Sequence, residues 1–263
     1  MRKVKVIVLR TAGTNCDRET AFAFEKAGAG SELAHINELT RKEKSLDDYQ
    51  IMAIPGGFTY GDDIASGKIL ANELKFRLGG PLQKFINNGK LIIGICNGFQ
   101  VLVKAGLLPN LAGDFQTIES TLTLNDSDKF EDRWVYLKRV KGRRCIWTKG
   151  MDEIIQLPVA HGEGKFIPKD KDTLKKMKAK GLVVFEYVDN AGRRAPYPYC
   201  PNGSVENIAG ICDPTGRIFG LMPHPERHIR AYQHPDWTRD RKKTGGDGLA
   251  VFKNGVNYAR RYL

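Results

Sequence analysis

The sequence predicts an α/β fold with a mostly parallel central sheet, helices on both faces and an antiparallel extension. Apolar runs at residues 4–9, 31–36, 50–54 and 91–95 have the length of buried strands. The first and last of these runs are followed by segments with apolar residues at helical spacing. Because parallel strands need crossover connections, this alternation indicates a parallel sheet between two layers of helices.

The second half of the chain predicts the antiparallel part. Apolar and polar residues alternate between positions 115 and 147. This pattern predicts antiparallel strands with one solvent-exposed face that continue the edge of the sheet. A basic helix is expected over 168–180, a strand over 182–188 and a loop over 193–204. Residues 204–212 and 217–228 predict a hairpin whose turn is Asp213-Pro214-Thr215-Gly216.

Length and composition indicate a globular protein without a membrane segment. The chain has 263 residues, of which 41% are hydrophobic, and this fits one large α/β domain. No stretch approaches the roughly 18 uninterrupted apolar residues of a membrane span, and the N-terminus lacks a signal-peptide pattern. Its five cysteines are odd in number and form no C-x-x-C pair, which favours reduced thiols. We expect a cytoplasmic protein.

The net charge of +12 is spread along the chain. The densest basic runs lie at 138–144, 169–180 and 239–243, and none has interleaved aromatic residues on which bases could stack. A solvated surface is therefore favoured over an RNA groove, and no nucleic-acid partner is expected. A basic RNA-binding module stays the non-enzymatic alternative, and an acidic protein partner or a phosphorylated substrate nearby is compatible with the charge.

A candidate nucleophile is Cys96, which stands between the strand at 91–95 and a helix that begins at Asn97. This order predicts a sharp turn that places the thiol at a helix N-terminus, where unpaired N–H groups stabilise a thiolate. Gly94 and Gly98 flank the cysteine and indicate close approach of backbone or ligand. The alternative is a small buried thiol at the end of a core strand.

Backbone donors for an oxyanion are expected at two places. The strand at 50–54 ends in Pro55-Gly56-Gly57, where adjacent glycines can turn N–H groups inward, although such a sequence is often only a turn. The N–H groups of Gly57 and Asn97 are the candidate pair, since acyl transfer needs donors aimed at the developing oxyanion.

Two histidine segments are candidates for acid–base chemistry. His224 is held between two prolines, and Glu226 two residues later can fix its tautomer. By itself His224 would be a surface histidine in a rigid turn, whereas beside Cys96 it completes a nucleophile, a base and an orienting group. His161 and Glu163 lie between glycines, where a bend that lines a pocket is preferred over a general base.

These motifs carry a resemblance to a known family. The sequence from Gly94 to Gln100, together with Met222-Pro223-His224-Pro225-Glu226, resembles the class I (triad) glutamine amidotransferases, which have a flavodoxin-like fold. Within that class, segments 13–17, 56–62, 161–164, 201–204 and 208–211 resemble the glutaminase subunits of phosphoribosylformylglycinamidine synthases of purine biosynthesis. The resemblance covers residues 4–227 and returns at 246–252.

The resemblance implies hydrolysis of L-glutamine through a thioester. Cys96 would attack the side-chain amide, His224 would transfer the proton to departing ammonia, and Glu226 would orient His224. Gly57 and Asn97 would form the oxyanion hole. The residues implied to hold the amino and carboxylate groups of glutamine are Gln100, His161, Gly162 and Glu163.

The resemblance also implies partners. Ammonia would pass through a tunnel to a separate synthetase subunit, which uses ATP and Mg²⁺ on formylglycinamide ribonucleotide, and a small subunit would bridge the two. This chain would need no cofactor and no metal, since nothing in it resembles the G-x-x-x-x-G-K-[ST] phosphate loop. The whole of 1–263 is expected to be one amidotransferase domain.

Segments near 127–149 and 231–245 look longer or more basic than the family pattern, and the run at 239–243 is predicted to dock on the synthetase. The alternatives are a glutaminase that serves another acceptor and a cysteine hydrolase on the same fold. Hydrolases of that kind place their histidine soon after the cysteine, whereas the first histidine after Cys96 is His161. Roles in packing or at the surface are expected for Cys16, Cys145, Cys200, Cys212 and His228.

Overall fold

The computed structural model describes residues 3–141, 144–239 and 245–263. The strands are β1 (Lys5–Arg10), β2 (Gly30–His35), β3 (Ile51–Ile54), β4 (Leu91–Ile95), β5 (Ser120–Thr123), β6 (Glu131–Arg139), β7 (Ile154–His161), β8 (Lys165–Pro168), β9 (Val183–Val188), β10 (Ile208–Cys212) and β11 (Ile218–Leu221). The helices are α1 (Asp17–Lys26), α2 (Ile36–Thr40), α3 (Lys68–Phe76), α4 (Gly79–Asn87), α5 (Asn97–Lys104), α6 (Lys171–Ala179) and α7 (Leu249–Tyr262).

Nine strands form the main sheet, in the order β2-β1-β3-β4-β11-β10-β9-β6-β7. The first five strands in this order pair in parallel. The other four join by antiparallel pairs, so that β7 is one edge of the sheet. The prediction of a parallel sheet with an antiparallel extension is therefore confirmed, and β10 and β11 form the predicted hairpin.

One part of the strand prediction is wrong. Residues 120–123 do not continue the edge of the main sheet, because β5 pairs with β8 in a separate two-stranded sheet. In that register Leu122 lies opposite Phe166, and both side chains are buried. Phe166 stacks on Phe99 of α5 with ring centroids 6.1 Å apart. Burial against α5 thus separates this two-stranded sheet from the main sheet.

The parallel strands are buried along most of their length and need cover on both faces. On one face α1 packs on α7, with Phe24 and Phe252 in edge contact at 5.0 Å between ring centroids. On the other face α5 packs against β3, β4 and β11, and α3 packs on α5. No helix within the described ranges has the length and apolar character needed to cross a membrane.

The topology brings the ends of distant segments to one edge of the sheet. β4 and β11 are neighbouring parallel strands, with Ile95 opposite Leu221. The segments that follow them therefore begin side by side, together with the segments after β1 and β3. In open α/β sheets this carboxyl edge is where ligands bind.

Candidate active site

Cys96 stands at a strained turn between β4 and α5. Its φ of +51° lies in the left-handed region, which non-glycine residues enter at a cost and often at functional sites. A Cβ atom at Gly98 would lie 1.8 Å from the carbonyl oxygen of Ile54, so only glycine lets α5 approach β3 this closely. The predicted order of strand, cysteine and helix is observed. Gly98 is required because the backbone of α5 lies directly against the backbone of β3.

His224 follows β11 and precedes a short 3₁₀ turn, Pro225–Arg227. Its Nδ1 lies 2.6 Å from Oε1 of Glu226, and both side chains are buried. Its backbone N–H donates to the carbonyl oxygen of Pro158 in β7 at 2.8 Å. The imidazole is therefore fixed by a carboxylate on one side, and its backbone is held by β7 of the same sheet.

The electrostatic surroundings of His224 favour the imidazolium. Burial alone would lower its pKa, but the Glu226 carboxylate and the neighbouring thiols of Cys96 and Cys16 raise the pKa of His224 well above the ordinary value. The structure thus brings Cys96, His224 and Glu226 together. A thiol beside an imidazolium is the arrangement that generates a nucleophilic thiolate.

Cys16 also belongs to this cluster, which the sequence analysis did not predict. Its thiol donates to Oδ1 of Asn15 at 3.1 Å and accepts from Nη2 of Arg227 at 3.2 Å. Burial raises the pKa of Cys16 to about 11, so this thiol is neutral at physiological pH and a weak nucleophile. The available signal was its place immediately before α1, in the segment that follows β1 at the same edge of the sheet as the end of β4.

Among the described residues, one set of three side chains has metal-ligating atoms within 4.8 Å of one another. It consists of Cys16, His224 and Glu226. The histidine nitrogen and the carboxylate oxygen of this set are already hydrogen-bonded to each other, which suits proton handling better than coordination. The set is part of the same site.

The candidate oxyanion donors flank Cys96, the candidate nucleophile. A Cβ atom at Gly56 would lie 2.8 Å from Cε1 of His224 and 3.4 Å from Cβ of Cys96, so the backbone before Gly57 lies directly against both. Hydrogen bonds from the Phe58 N–H to Gly13 and from the Cys16 N–H to Gly56 hold this turn.

On the other side of Cys96, α5 supplies the second candidate donor. The N–H groups of Phe99 and Gln100 donate to the carbonyl oxygen of Cys96. The N–H of Asn97 precedes them and has no partner within the helix. The first turn of α5 is therefore able to donate to a group bound at the thiol.

The predicted glutamine-binding residues lie at the end of β7 and on α5. Sγ of Cys96 is 3.6 Å from the carbonyl oxygen of Ala160, next to His161, so this end of β7 reaches the Cys96 thiol. The side chain of Gln100 is buried and donates to the carbonyl oxygen of Glu163 at 2.5 Å. Gln100 thus supports the bend of His161, Gly162 and Glu163.

His161 itself is packed tightly. Its ring occupies the space where a Cβ at Gly164 would lie, 2.3 Å from Cε1, and its Nδ1 is 3.2 Å from Oδ1 of Asn125. Within the described ranges its Nε2 is buried without a hydrogen-bond partner. A buried neutral imidazole with one available nitrogen is suited to lining a pocket.

We expect His161 to stay neutral in the folded protein down to acidic pH. Burial, followed by the nearby charge of His224, lowers the pKa of His161 from 6.5 to about 3. Between these values the unfolded chain binds the extra proton and the folded chain does not. The free energy of unfolding should therefore decrease as pH falls below 6.5. NMR of the labelled imidazole at pH 5 to 7 checks this, and a His161 signal that titrates near 6.5 would contradict it.

Comparison with known proteins agrees with this geometry. The model of the CobB/CobQ-like glutamine amidotransferase domain matches residues 3–259. Subunit PurQ of phosphoribosylformylglycinamidine synthase from Dehalococcoides mccartyi is 51% identical, over 99% of this chain and 100% of the relative. PurQ from Archaeoglobus fulgidus is 40% identical, over 98% of both chains.

Solved structures extend the comparison. A chain in the structure of PurLQS from Thermotoga maritima has a TM-score of 0.74 and 32% identity, and the match covers 98% of this chain and 99% of that one. A glutamine amidotransferase from the same organism, at 14% identity and a TM-score of 0.56, shows the fold alone. The chain belongs to the PurQ family of phosphoribosylformylglycinamidine synthase subunits, which are glutamine amidotransferases.

Proposed function

We propose that this chain hydrolyses glutamine to glutamate and ammonia through a thioester on Cys96. The ammonia goes to a separate ATP-dependent synthetase subunit, which converts formylglycinamide ribonucleotide to formylglycinamidine ribonucleotide in purine biosynthesis. One observation carries the proposal. Two neighbouring parallel strands, β4 and β11, deliver a thiol at a strained turn and a buried histidine hydrogen-bonded to a carboxylate.

The first half of the reaction forms the thioester. The proton of the Cys96 thiol is held by His224, as the raised pKa of this imidazole favours, and the resulting thiolate attacks the side-chain amide carbon of glutamine. The tetrahedral intermediate carries its negative charge on the former carbonyl oxygen. As the carbon–nitrogen bond breaks, His224 gives its proton to the departing nitrogen, and ammonia leaves. Glu226 holds the histidine in one tautomer and stabilises its positive charge.

The second half releases glutamate. Water attacks the thioester carbon while His224 removes a proton from the water molecule. His224 then gives this proton to the sulfur as the carbon–sulfur bond breaks. The N–H groups of Gly57 and Asn97 stabilise the oxyanion in both halves, and one such donor is typically worth about 10²–10³ in rate. Gln100, His161, Gly162 and Glu163 shape the pocket for the amino and carboxylate groups of glutamine.

The partners follow from the family. The Thermotoga maritima structure is that of a complex named PurLQS. We infer that this chain joins a synthetase subunit and a small bridging subunit, and that ATP and Mg²⁺ bind the synthetase and not this chain. The steps above use only side chains and backbone groups of this chain. The predicted docking run at 239–243 lies outside the described residues after Arg239, and the extent of one domain over 1–263 stays a prediction.

The test is glutamate release by the purified chain, alone and with the synthetase, the small subunit, ATP and formylglycinamide ribonucleotide. We expect strong stimulation by the complete set, because ammonia released without an acceptor is wasted. Glutaminase activity that is indifferent to these partners would retain the thioester chemistry but assign the chain to another acceptor. Absence of activity in every mixture would overturn the proposal.

A further inference from the structure

The segment from Phe58 to Ile64, between β3 and α3, has an unusual backbone. Tyr60, Asp62 and Ile64 all have positive φ, at 56°, 55° and 71°. For a β-branched residue such as Ile64 this conformation is a genuine outlier. Its side chain is also 86% exposed, so burial within this chain does not compensate for the strain. Strain of this kind is concentrated at clamps and switch regions.

This segment is tied to the residue that follows the nucleophile. Asn97 is 1% exposed, and its Nδ2 donates to Oδ1 of Asp62 at 2.9 Å. Its Oδ1 accepts from the hydroxyl of Thr59 at 2.7 Å. Both ends of the Asn97 amide are thus used to hold the strained segment against the first turn of α5.

The same amide reaches the pocket. Nδ2 of Asn97 also donates to Oε1 of Gln100 at 3.1 Å, and Gln100 in turn holds the carbonyl of Glu163. A displacement of Asp62 would therefore move Asn97, whose backbone N–H is the proposed oxyanion donor, together with the bend that lines the pocket. This is one connected set of hydrogen bonds from the strained segment to the residue that follows Cys96 and to the bend that lines the pocket.

Asp62 is placed where a carboxylate is costly. Burial raises its pKa, and hydrogen bonds from Ser66, Asn97 and the backbone of Gly67 lower it in part. The next residue, Asp63, is exposed. These neighbouring carboxylates form a natural pair for comparison, because only Asp62 holds Asn97.

The outer side of the segment is apolar and adjoins the candidate oxyanion donors. Phe58 directly follows Gly57, is 44% exposed and packs on the exposed Phe130 with ring centroids 6.3 Å apart. Ammonia made at Cys96 must leave without escaping into water, so the subunit that receives it has to cover the mouth of the site. Exposed aromatic and branched side chains at that mouth suit such a contact.

We propose that Asp62 is a positioning residue for glutamine hydrolysis. It acts through Asn97 and transmits the docking of the synthetase subunit on Ile64 to the oxyanion-binding N–H groups. This inference rests on the proposed function and adds a coupling residue and a contact surface to it.

The first experiment uses the assembled complex with ATP and formylglycinamide ribonucleotide. Asp62→Ala is expected to lower kcat for glutamate release about 10- to 100-fold, less than the loss of a whole oxyanion donor, with a smaller change in KM. Asp63→Ala is the matched control and should behave as the wild type. Asp62→Asn keeps an acceptor oxygen for Asn97 and should restore most of the rate. Synthesis from added ammonia should be unaffected in all three variants.

A double-mutant cycle tests the route. Asn97→Ala should reduce kcat, and Asp62→Ala should add little in its presence, because both changes break one connection. If the two substitutions instead reduce kcat independently, so that their factors multiply in the double variant, the coupling of Asp62 through Asn97 is overturned. Equal kcat values for Asp62→Ala and Asp63→Ala would overturn the positioning role. If Asp62→Ala fails to fold, the cycle is made with Asp62→Leu, which also lacks an acceptor oxygen for Asn97, and the same outcomes decide.

A second experiment tests the proposed contact of the synthetase with Ile64. It measures the ratio of glutaminase activity with the synthetase to the activity without it. Ile64→Ala should reduce this ratio several-fold. Ile154→Ala is the control, because Ile154 lies at the opposite end of β7 from His161 and is also exposed. An unchanged ratio in Ile64→Ala would remove Ile64 as the contact. A wild-type complex without glutaminase activity would instead refute the proposed function, which keeps the two failures distinct.

Discussion

Replacing Cys96 with alanine is expected to abolish glutamine-dependent synthesis by the assembled complex and to leave synthesis from added ammonia intact. Without the sulfur no thioester forms, and the other groups of the site have nothing to activate. The residual rate should therefore be near background. The chemistry of the synthetase needs only ammonia, so its own step should continue at the wild-type rate.

The measurement compares product formation with glutamine and with ammonium chloride as nitrogen sources. Cys145→Ala is the matched control, because Cys145 is also buried but lies beside Gly216, at the other end of β11 from His224. It should support both reactions. Glutamine-dependent synthesis that survives in Cys96→Ala would refute Cys96 as the nucleophile, and loss of both reactions would show a defect in assembly instead.

Replacing Glu226 with glutamine is expected to lower the rate of glutamate release by about 10²–10⁴, the usual range for a lost acid–base contribution. The carboxylate raises the pKa of His224 against the effect of burial, so its removal should move that pKa downward. The neutral amide also no longer fixes the tautomer in which Nε2 can accept the thiol proton.

Two readouts separate this effect from simple destabilisation. NMR titration of the His224 imidazole should show its transition at lower pH in Glu226→Gln than in the wild type, and glutamate release should fall in the same sample. The control is Glu186→Gln, which removes a carboxylate of β9 that is paired with Arg194. It should change neither the His224 titration nor the rate of glutamate release. An unchanged His224 titration would contradict the role of Glu226.

Much of this fold could be predicted because its signals are local. Buried parallel strands such as β3 and β4 appear in the sequence as short apolar runs, and the hairpin of β10 and β11 is marked by its Asp-Pro-Thr-Gly turn. The strand β5 could not be assigned in the same way. Its alternation of apolar and polar residues is that of any half-buried strand. Its sheet is decided by a distant contact, because Phe166 of the partner strand β8 packs on Phe99 of α5.

The candidate site shows the same division. Cys96 and Asn97 are marked by adjacent glycines and a change of periodicity, and His224 and Glu226 by the prolines and spacing around them. Cys16 and Asp62 lie in segments 13–17 and 56–62, which carry the family resemblance, but nothing local in the sequence places them beside Cys96. They reach the site because β3 lies between β1 and β4 and all three strands end at the same edge of the sheet. This arrangement depends on strand order, which is a property of the folded sheet.

The pairing of β4 with β11 has a consequence for how the protein is made. The thiol arrives early in synthesis, whereas the histidine arrives only after the chain between Ile95 and Ile218 has emerged. Contacts between such distant segments form late in folding, because closing a long loop must precede any gain from pairing. A nascent or truncated chain that ends before β11 thus carries Cys96 without His224, its proposed base. By the proposed mechanism, ammonia production begins only once β11 has been inserted into the sheet.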